Sequence, residues 1–321
     1  MEQINCNFCN SNNHKLICEQ TDLIYNTTKE VFKVVECNEC GLNFTNPRPN
    51  EQEISKYYKS DYQFHKKNTK VNILIKKIAK IIANTNFAYF FSFIPFINEK
   101  LKFCVQKKIK NPLVIKKDDF FLDIGAGSID SSYIWDFDGS LKKYNKESNN
   151  IYAVEPALDS LDLIKKQKIH GYKSINELPK DLKFNYIRMN WSLEHAHNPK
   201  VYFEFFRDRI KPQGEVVICI PNYNGLIYEI DKSQVEVPIH LYHFKKNDIQ
   251  NYCKLFDFKI MKFETFSLAS MFYAVSKYND KFKQFQKMSL LDLRNFQKTL
   301  NLLDQYELGG DMIFVLKKIN K

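Results

Sequence analysis

The chain shows no internal repeat and no low-complexity tail, so neither a solenoid nor a disordered architecture fits it. Its opening residues, MEQINCNFCN, have neither the basic segment nor the apolar run of a secretory leader, and synthesis for the cytoplasm is the expectation. The most apolar stretch, Phe87 to Ile97, is broken by Pro95 and is too short to cross a bilayer. Acid is scarce in one place: between Tyr62 and Lys117 a single glutamate, Glu99, stands against thirteen lysines. That local balance of +12 exceeds the net charge of +11, so the rest of the chain sums to about −1 and the basicity belongs to one segment. What is present suffices for a packed core: 321 residues, 44% of them hydrophobic and 15% aromatic, fit one large or two modest domains.

Three zones follow. Residues 1–60 carry four of the eight cysteines as two pairs, CNFC (Cys6, Cys9) and CNEC (Cys37, Cys40). Without an export signal, paired cysteines favour a metal over disulfides, and two CxxC turns brought together by intervening strands supply four thiolates to a structural Zn2+. The 27 residues between Cys9 and Cys37 exceed the usual zinc-ribbon gap, and the competing reading is a pair of reduced, buried turns. His14 and Cys18 are alternative ligands, although the apolar neighbours in KLIC make Cys18 a core residue of a strand.

Residues 61–112 hold VNILIKKIAKIIAN and NFAYFFSFIPFINEKLKFCVQKKIK, basic and amphipathic at helical spacing. The bland reading, preferred because charge runs are commonly solvated, is a helical linker packing on the next domain with its lysines in water. The sharper one is a surface at residues 71–110 that touches an anionic membrane or carrier, making the protein cytoplasmic but membrane-peripheral.

Residues 113–321 alternate strands (FFLDI, IYAVE, FNYIRM, EVVICIP, FKIMKFETF, DMIFVLKK) with helices (ALDSLDLIKKQK, PKVYFEFFRDRI, KKNDIQNYCKLF, MSLLDLRNFQKTLNLLDQY). Such alternation argues for an α/β, Rossmann-like, doubly wound and mainly parallel sheet. Ligands of such sheets bind beyond the strands' carboxyl ends. There LDIGAGSID offers Asp123, Gly125 and Gly127, glycines that let a ligand approach the backbone. Glu155 in IYAVEP is placed to hold ribose hydroxyls. A dinucleotide fingerprint would need a third glycine and an acid about 20 residues on. Ile129 occupies the glycine position and Glu155 lies 28 residues after Gly127, with DFDGSLKKYNKESNN read as the surface loop that absorbs the excess.

The ordered series LDIGAGSI, VEP, SLEHAHNP, IKPQGEVVICIPN and HLYHFKKNDIQNYCKLFDFKI resembles the class I S-adenosylmethionine-dependent methyltransferases. CNECGLNFTNPRPNEQEISKYYKSDY is similar to the zinc-binding module that precedes many bacterial sugar and small-molecule methyltransferases. The resemblance implies a seven-stranded sheet and S-adenosylmethionine as cofactor, held by Asp123, Gly125, Gly127 and Glu155, with Asn190 and Trp191 lining its pocket. It also implies methylation of a sugar or a nucleotide- or lipid-linked sugar in polysaccharide biosynthesis, on oxygen rather than carbon because no further C-terminal domain follows.

A hydroxyl acceptor needs a base, and histidine suits the task near neutral pH. His240 and His243 in PIHLYHF are the first candidates; the glutamate that often precedes the first of them in related enzymes is replaced by Ile239. His195, in SLEHAHNP, is the next, beside Glu194 and ahead of an Asn198–Pro199 helix start. Ubiquinone-pathway O-methyltransferases carry ExxEH here; Trp191 takes the first Glu position, so no magnesium is expected. His65 and His170 sit in polar, solvated stretches and carry no assignment.

The rivals are an RNA methyltransferase and a non-catalytic binding protein on a degenerate fold. Against RNA stand the mixing of lysines with large apolar residues and the slightly acidic first zone. A dehydrogenase is disfavoured by the incomplete fingerprint.

Overall fold

The first 45 residues build a small antiparallel sheet, β1 (His14–Gln20), β2 (Phe32–Cys37) and β3 (Asn43–Thr45), in that order. Strand β2 alternates: Phe32 and Val34 enter one apolar cluster, Val35 and Cys37 another. This second cluster is continuous with the core of the large domain, so the module shares its interior with the rest of the chain. The computed structural model describes residues 1–58, 70–91, 93–107, 109–127 and 140–319; Tyr62, His65 and Ile129 lie outside them.

The large sheet has seven strands: β4 (Phe121–Ile124), β5 (Ile151–Val154), β6 (His170–Tyr172), β7 (Phe184–Asn190), β8 (Ile210–Pro221), β9 (Phe258–Phe266) and β10 (Asp311–Lys318). Their order is β6-β5-β4-β7-β8-β10-β9, with the first five parallel and β10 antiparallel to both its neighbours. This is the doubly wound sheet expected from the alternation. Burial on both faces explains why β4 reads FLDI without polar alternation. Phe121 packs with Tyr144, Val217 and Ile313 on one face, and Leu122 and Ile124 with Phe203, Ile218 and Tyr252 on the other.

Helices cover both faces: α4 (Leu141–Glu147), α5 (Leu158–Lys166), α6 (Pro199–Arg209), α7 (Leu226–Ile230) and α8 (Lys246–Leu255). Between the module and β4 run α1 (Lys70–Ala83), α2 (Ala88–Phe91) and α3 (Pro95–Lys102). They form a third cluster with α9 (Ala269–Val275), α10 (Gln284–Lys287) and α11 (Leu290–Leu303).

Three local expectations are corrected. DFDGSLKKYNKESNN is not all loop: Ser140 caps α4 by accepting from the Lys143 amide, and Leu141 and Tyr144 are buried. Asn198 stands at the N-cap of α6 but makes no capping bond; its Oδ1 accepts from Asn7 Nδ2 at 2.9 Å, tying the helix to the module. The apolar side of α1 is not all turned inward. Ala79, Ile82 and Ala83 pack into the cluster shared with α9 to α11, whereas Leu74, Ile75, Ile78 and Ile81 face solvent.

Candidate active site and thiolate centre

Each CxxC turn closes with a residue in the left-handed region, Asn10 (φ 64°) and Gly41 (φ 79°). Their amides donate to the carbonyls of Cys6 and Cys37. The turns so formed bring Cys6 Sγ to 3.4 Å from Cys40 Sγ and Cys9 Sγ to 3.5 Å from Cys37 Sγ, with all four sulfurs within 4.8 Å of one another. A disulfide bond of about 2 Å is excluded. The spacing is near the edge of roughly 3.8 Å expected for a tetrahedron with metal–sulfur bonds of about 2.3 Å. Burial pushes the Cys6 thiol up to about 11. Burial also acts on Cys37, but the Cys40 and Glu39 amides aimed at its sulfur outweigh it and leave the pKa lowered. The donor set therefore fits Zn2+. Neither His14, edge-on to Phe44, nor Cys18, bonded to the Lys232 carbonyl, joins the four.

The second site lies where the strand order reverses, between β4 and β7. Gly125 (φ 72°) and Gly127 (φ 56°) turn the chain away from β4. A Cβ on Gly125 would stand 2.1 Å from Ser192 Oγ, so the loops after β4 and β7 touch at a point only glycine permits. The amides of Gly125 and Ala126 donate to the Val154 carbonyl, and that of Gly127 to Glu155 Oε2 at 2.6 Å. Glu155 Oε1 accepts from Ala157 N at 2.8 Å, which fixes the carboxylate at the end of β5. Across the crevice Asn190 Oδ1 is buried without a hydrogen-bond partner among the described residues. Trp191, with φ 44°, donates from Nε1 to Asp311 Oδ1 at 2.9 Å. Burial pushes Asp311 up to about 7. A glycine cradle, a fixed acid and an orphaned acceptor fit an adenosyl cofactor.

Asp123 is placed differently from its neighbours. It pairs across the β4–β7 register with Arg188, Nε to Oδ1 at 2.8 Å and Nη2 to Oδ2 at 2.5 Å, both side chains almost fully buried. Arg188 also lies over the rings of Phe121 and Tyr144. In this structure Asp123 is engaged beneath the crevice, under α4.

The histidines converge. His195 and His240 stack edge to face with centroids 4.7 Å apart, and Glu194 joins them with ligand atoms within 4.8 Å. Both Glu194 oxygens are buried without a partner among the described residues, and burial raises its pKa well above the usual range. His195 Nδ1 lies 2.9 Å from the Ile239 carbonyl, which can only accept, so Nδ1 holds the proton. His243 Nε2 lies 3.1 Å from Thr45 Oγ1, whose own proton goes to the His240 carbonyl, so this nitrogen is the donor. Burial lowers the pKa of His195, His240 and His243 each to about 3, which keeps all three neutral at ordinary pH.

Several residues that sequence reasoning missed complete the site. Glu236 Oε2 lies 3.6 Å from His240 Nε2 and accepts from the Tyr25 hydroxyl. Tyr58, 3.1 Å from His195 Nδ1, has its pKa raised by burial and then by Glu194, Glu155 and Glu236. The module supplies Tyr25, Thr45 and Tyr58, and Phe44 pairs with Tyr242 as an isolated bridge. Strand β3 is three residues long and buried throughout, so no alternation in NFT marks it or its partner. His197 holds the module in place, its carbonyl accepting from Arg48 and its Nε2 meeting the Pro49 carbonyl. His170 lies on β6 with its ring stacked on Tyr152.

The model of a family described as a methyltransferase domain matches residues 98–262. No curated protein matches the chain. Among solved structures, the complex between the Haloferax volcanii Trm112 methyltransferase activator and a methyltransferase is similar at 10% identity. It covers 75% of this chain and 98% of that one, with a TM-score of 0.46. A SAM-dependent methyltransferase of Thermotoga maritima is similar at 13% identity, over 76% of this chain and all of that one, with a TM-score of 0.41. An S-adenosylmethionine dependent methyltransferase of Mesorhizobium loti is similar at 12% identity, over 64% and 94% of the two chains, with a TM-score of 0.42.

Proposed function

The chain belongs to the methyltransferase-domain family and is an S-adenosylmethionine-dependent enzyme, and from that premise we propose that it methylates a sugar hydroxyl in surface-glycan biosynthesis. The acceptor is a sugar or a nucleotide- or lipid-linked sugar. The observation that carries this reading is the glycine cradle with Glu155 at the switch point, in a chain that also gathers a buried cluster of His195, His240 and Glu194. The resemblance of the four-cysteine module to those of sugar methyltransferases supports the acceptor class.

S-adenosylmethionine supplies an electrophilic methyl group on a sulfonium that departs as a neutral thioether. The chain's own tasks are to align the acceptor oxygen and to take its proton. Gly125 and Gly127 let the backbone approach the donor, Glu155 holds its ribose hydroxyls, and Asn190 and Trp191 line the pocket. Asp123, through Arg188, keeps β4 and β7 in register beneath it.

His240 is the proposed base. Its Nε2 faces Glu236, so Nδ1 takes the proton and the Glu236 carboxylate, 3.6 Å away, stabilises the imidazolium. His195, edge-on, restricts the ring of His240. His243 binds Thr45 and holds the segment that carries the base. Zn2+ on Cys6, Cys9, Cys37 and Cys40 is structural.

The test is turnover of S-adenosylmethionine to S-adenosylhomocysteine against nucleotide-linked sugars, lipid-linked sugars and RNA in parallel. A sugar product one methyl heavier supports the proposal. Methylation of RNA alone contradicts it.

A further inference from the structure

Helices α1 to α3 present an apolar surface that no described part of the chain covers. On α1, Leu74, Ile78 and Ile81 recur at i, i+4 and i+7 and so share one face, 47–62% exposed. In the segment that follows, Phe87, Phe90, Phe93 and Phe96 are 64–72% exposed. Single exposed apolar residues need no explanation, but a run of large ones does, and Tyr89 packs edge-on against both Phe90 and Phe93, at 6.2 and 5.3 Å between ring centroids. The same segment carries thirteen lysines, one glutamate and no arginine between Tyr62 and Lys117, and the Lys100 ammonium lies 4.0 Å over the Phe96 ring.

We propose that this face lies on an anionic membrane surface, with Phe90, Phe93 and Phe96 entering the acyl boundary and lysines meeting lipid phosphates. Charge decides between occupants. A second copy would bring one +12 segment against another, which repulsion opposes, whereas an anionic surface gains from exposed lysines such as Lys100 and Lys110; Lys102 is buried beside Glu99 and Lys107 is paired with Asp304. A nucleic-acid groove would show the forked guanidinium that reads phosphates bidentately, and here arginine is absent. No helix among the described residues is long and apolar enough to cross a membrane, so the contact is with its surface.

The arrangement also orients the enzyme. The cluster that α1 to α3 form with α9 to α11 includes Ile227 of α7, whose Tyr228 lies against Tyr223 and, with His240 and His243, lines a small cavity. Tyr228 thus joins the cluster beneath this face to the cavity beside His240 and His243. This step rests on the proposed acceptor and suits a sugar carried on a lipid; the membrane contact itself stands without it.

The test is flotation of the full chain with vesicles of phosphatidylcholine alone and of phosphatidylcholine with roughly one lipid in three replaced by phosphatidylglycerol. The anionic vesicles bind about tenfold more protein at low salt, and high salt reduces the excess. The triple variant Phe90→Ser, Phe93→Ser, Phe96→Ser loses at least about tenfold of that binding while keeping its thermal midpoint, because the three rings are exposed. Should the triple variant melt early, the single variant Phe93→Trp carries the test: its emission shifts to the blue and is quenched by brominated phosphatidylglycerol. Absence of binding to anionic vesicles overturns the proposal. So does binding that the triple variant retains, a Phe93→Trp emission that vesicles leave unchanged, or a wild-type dimer in solution that the triple variant dissociates. S-adenosylmethionine binding, measured on the same samples, separates this failure from failure of the methyltransferase reading.

Discussion

Glu236 and His240 stand one helical turn apart: the His240 amide donates to the Glu236 carbonyl at 2.9 Å, and the Glu236 carboxylate lies 3.6 Å from His240 Nε2. The acid that Ile239 fails to supply next to the histidine is thus provided from four residues earlier. Tyr25 of the cysteine module holds that acid in turn.

If His240 is the base, His240→Gln lowers kcat by about 10²–10⁴-fold. Glu236→Gln, which removes only the stabilising charge, lowers it by about tenfold. Both leave binding of S-adenosylmethionine, followed by calorimetry, within about twofold of wild type, since neither residue belongs to the cradle.

His243 gives a pH signature. Burial lowers its pKa from 6.5 to about 3, so between those values the unfolded chain binds the extra proton. The stability it contributes is present above pH 6.5 and lost as pH falls towards 3. Other buried groups, Asp248 and Asp311 among them, are raised to about 7 and act in the opposite sense, so the contrast must be read against a variant. Denaturant titrations at pH 7 and pH 5 should show His243→Gln losing about 2 kcal/mol less than wild type on acidification.

Metal analysis of purified protein returns one zinc per chain, and Cys9→Ser or Cys37→Ser loses it. Because the module's apolar residues are continuous with the main core, the same variants lower the thermal midpoint of the whole protein. A midpoint indifferent to chelation would oppose a structural role.

Gly125→Ala places a Cβ against Ser192 at a φ of 72°. It should weaken S-adenosylmethionine at least about tenfold, and Ser192→Gly in the same chain should recover part of the loss by relieving the contact but not the strained φ.

Much of this was legible because hydrophobic pattern reports burial. FLDI, IYAV, FNYIRMN and DMIFVLKK are strands as read, and their alternation with helices gives the parallel sheet and its switch point. Strand β6 was missed because HGY is three residues long and lies at the sheet's edge, where nothing apolar marks it. Asp123 looks like a cofactor group in the sequence, since the register that sets it against Arg188, 65 residues later, is invisible there. The amphipathic stretch at residues 71–82 announces a face but not which side finds a partner, and Leu74, Ile78 and Ile81 are left uncovered by the described residues. The histidine cluster was half legible: the residue types were evident, but Glu236, Thr45 and Tyr58 reach it only through tertiary structure.

Calorimetric titration of the zinc-replete protein with S-adenosylmethionine and S-adenosylhomocysteine decides whether Gly125, Gly127 and Glu155 form a working cradle. Binding of both is expected, weakened at least about tenfold by Glu155→Ala, which removes the acceptor of the Gly127 and Ala157 amides. No binding by the wild type, or equal binding by Glu155→Ala, would contradict it.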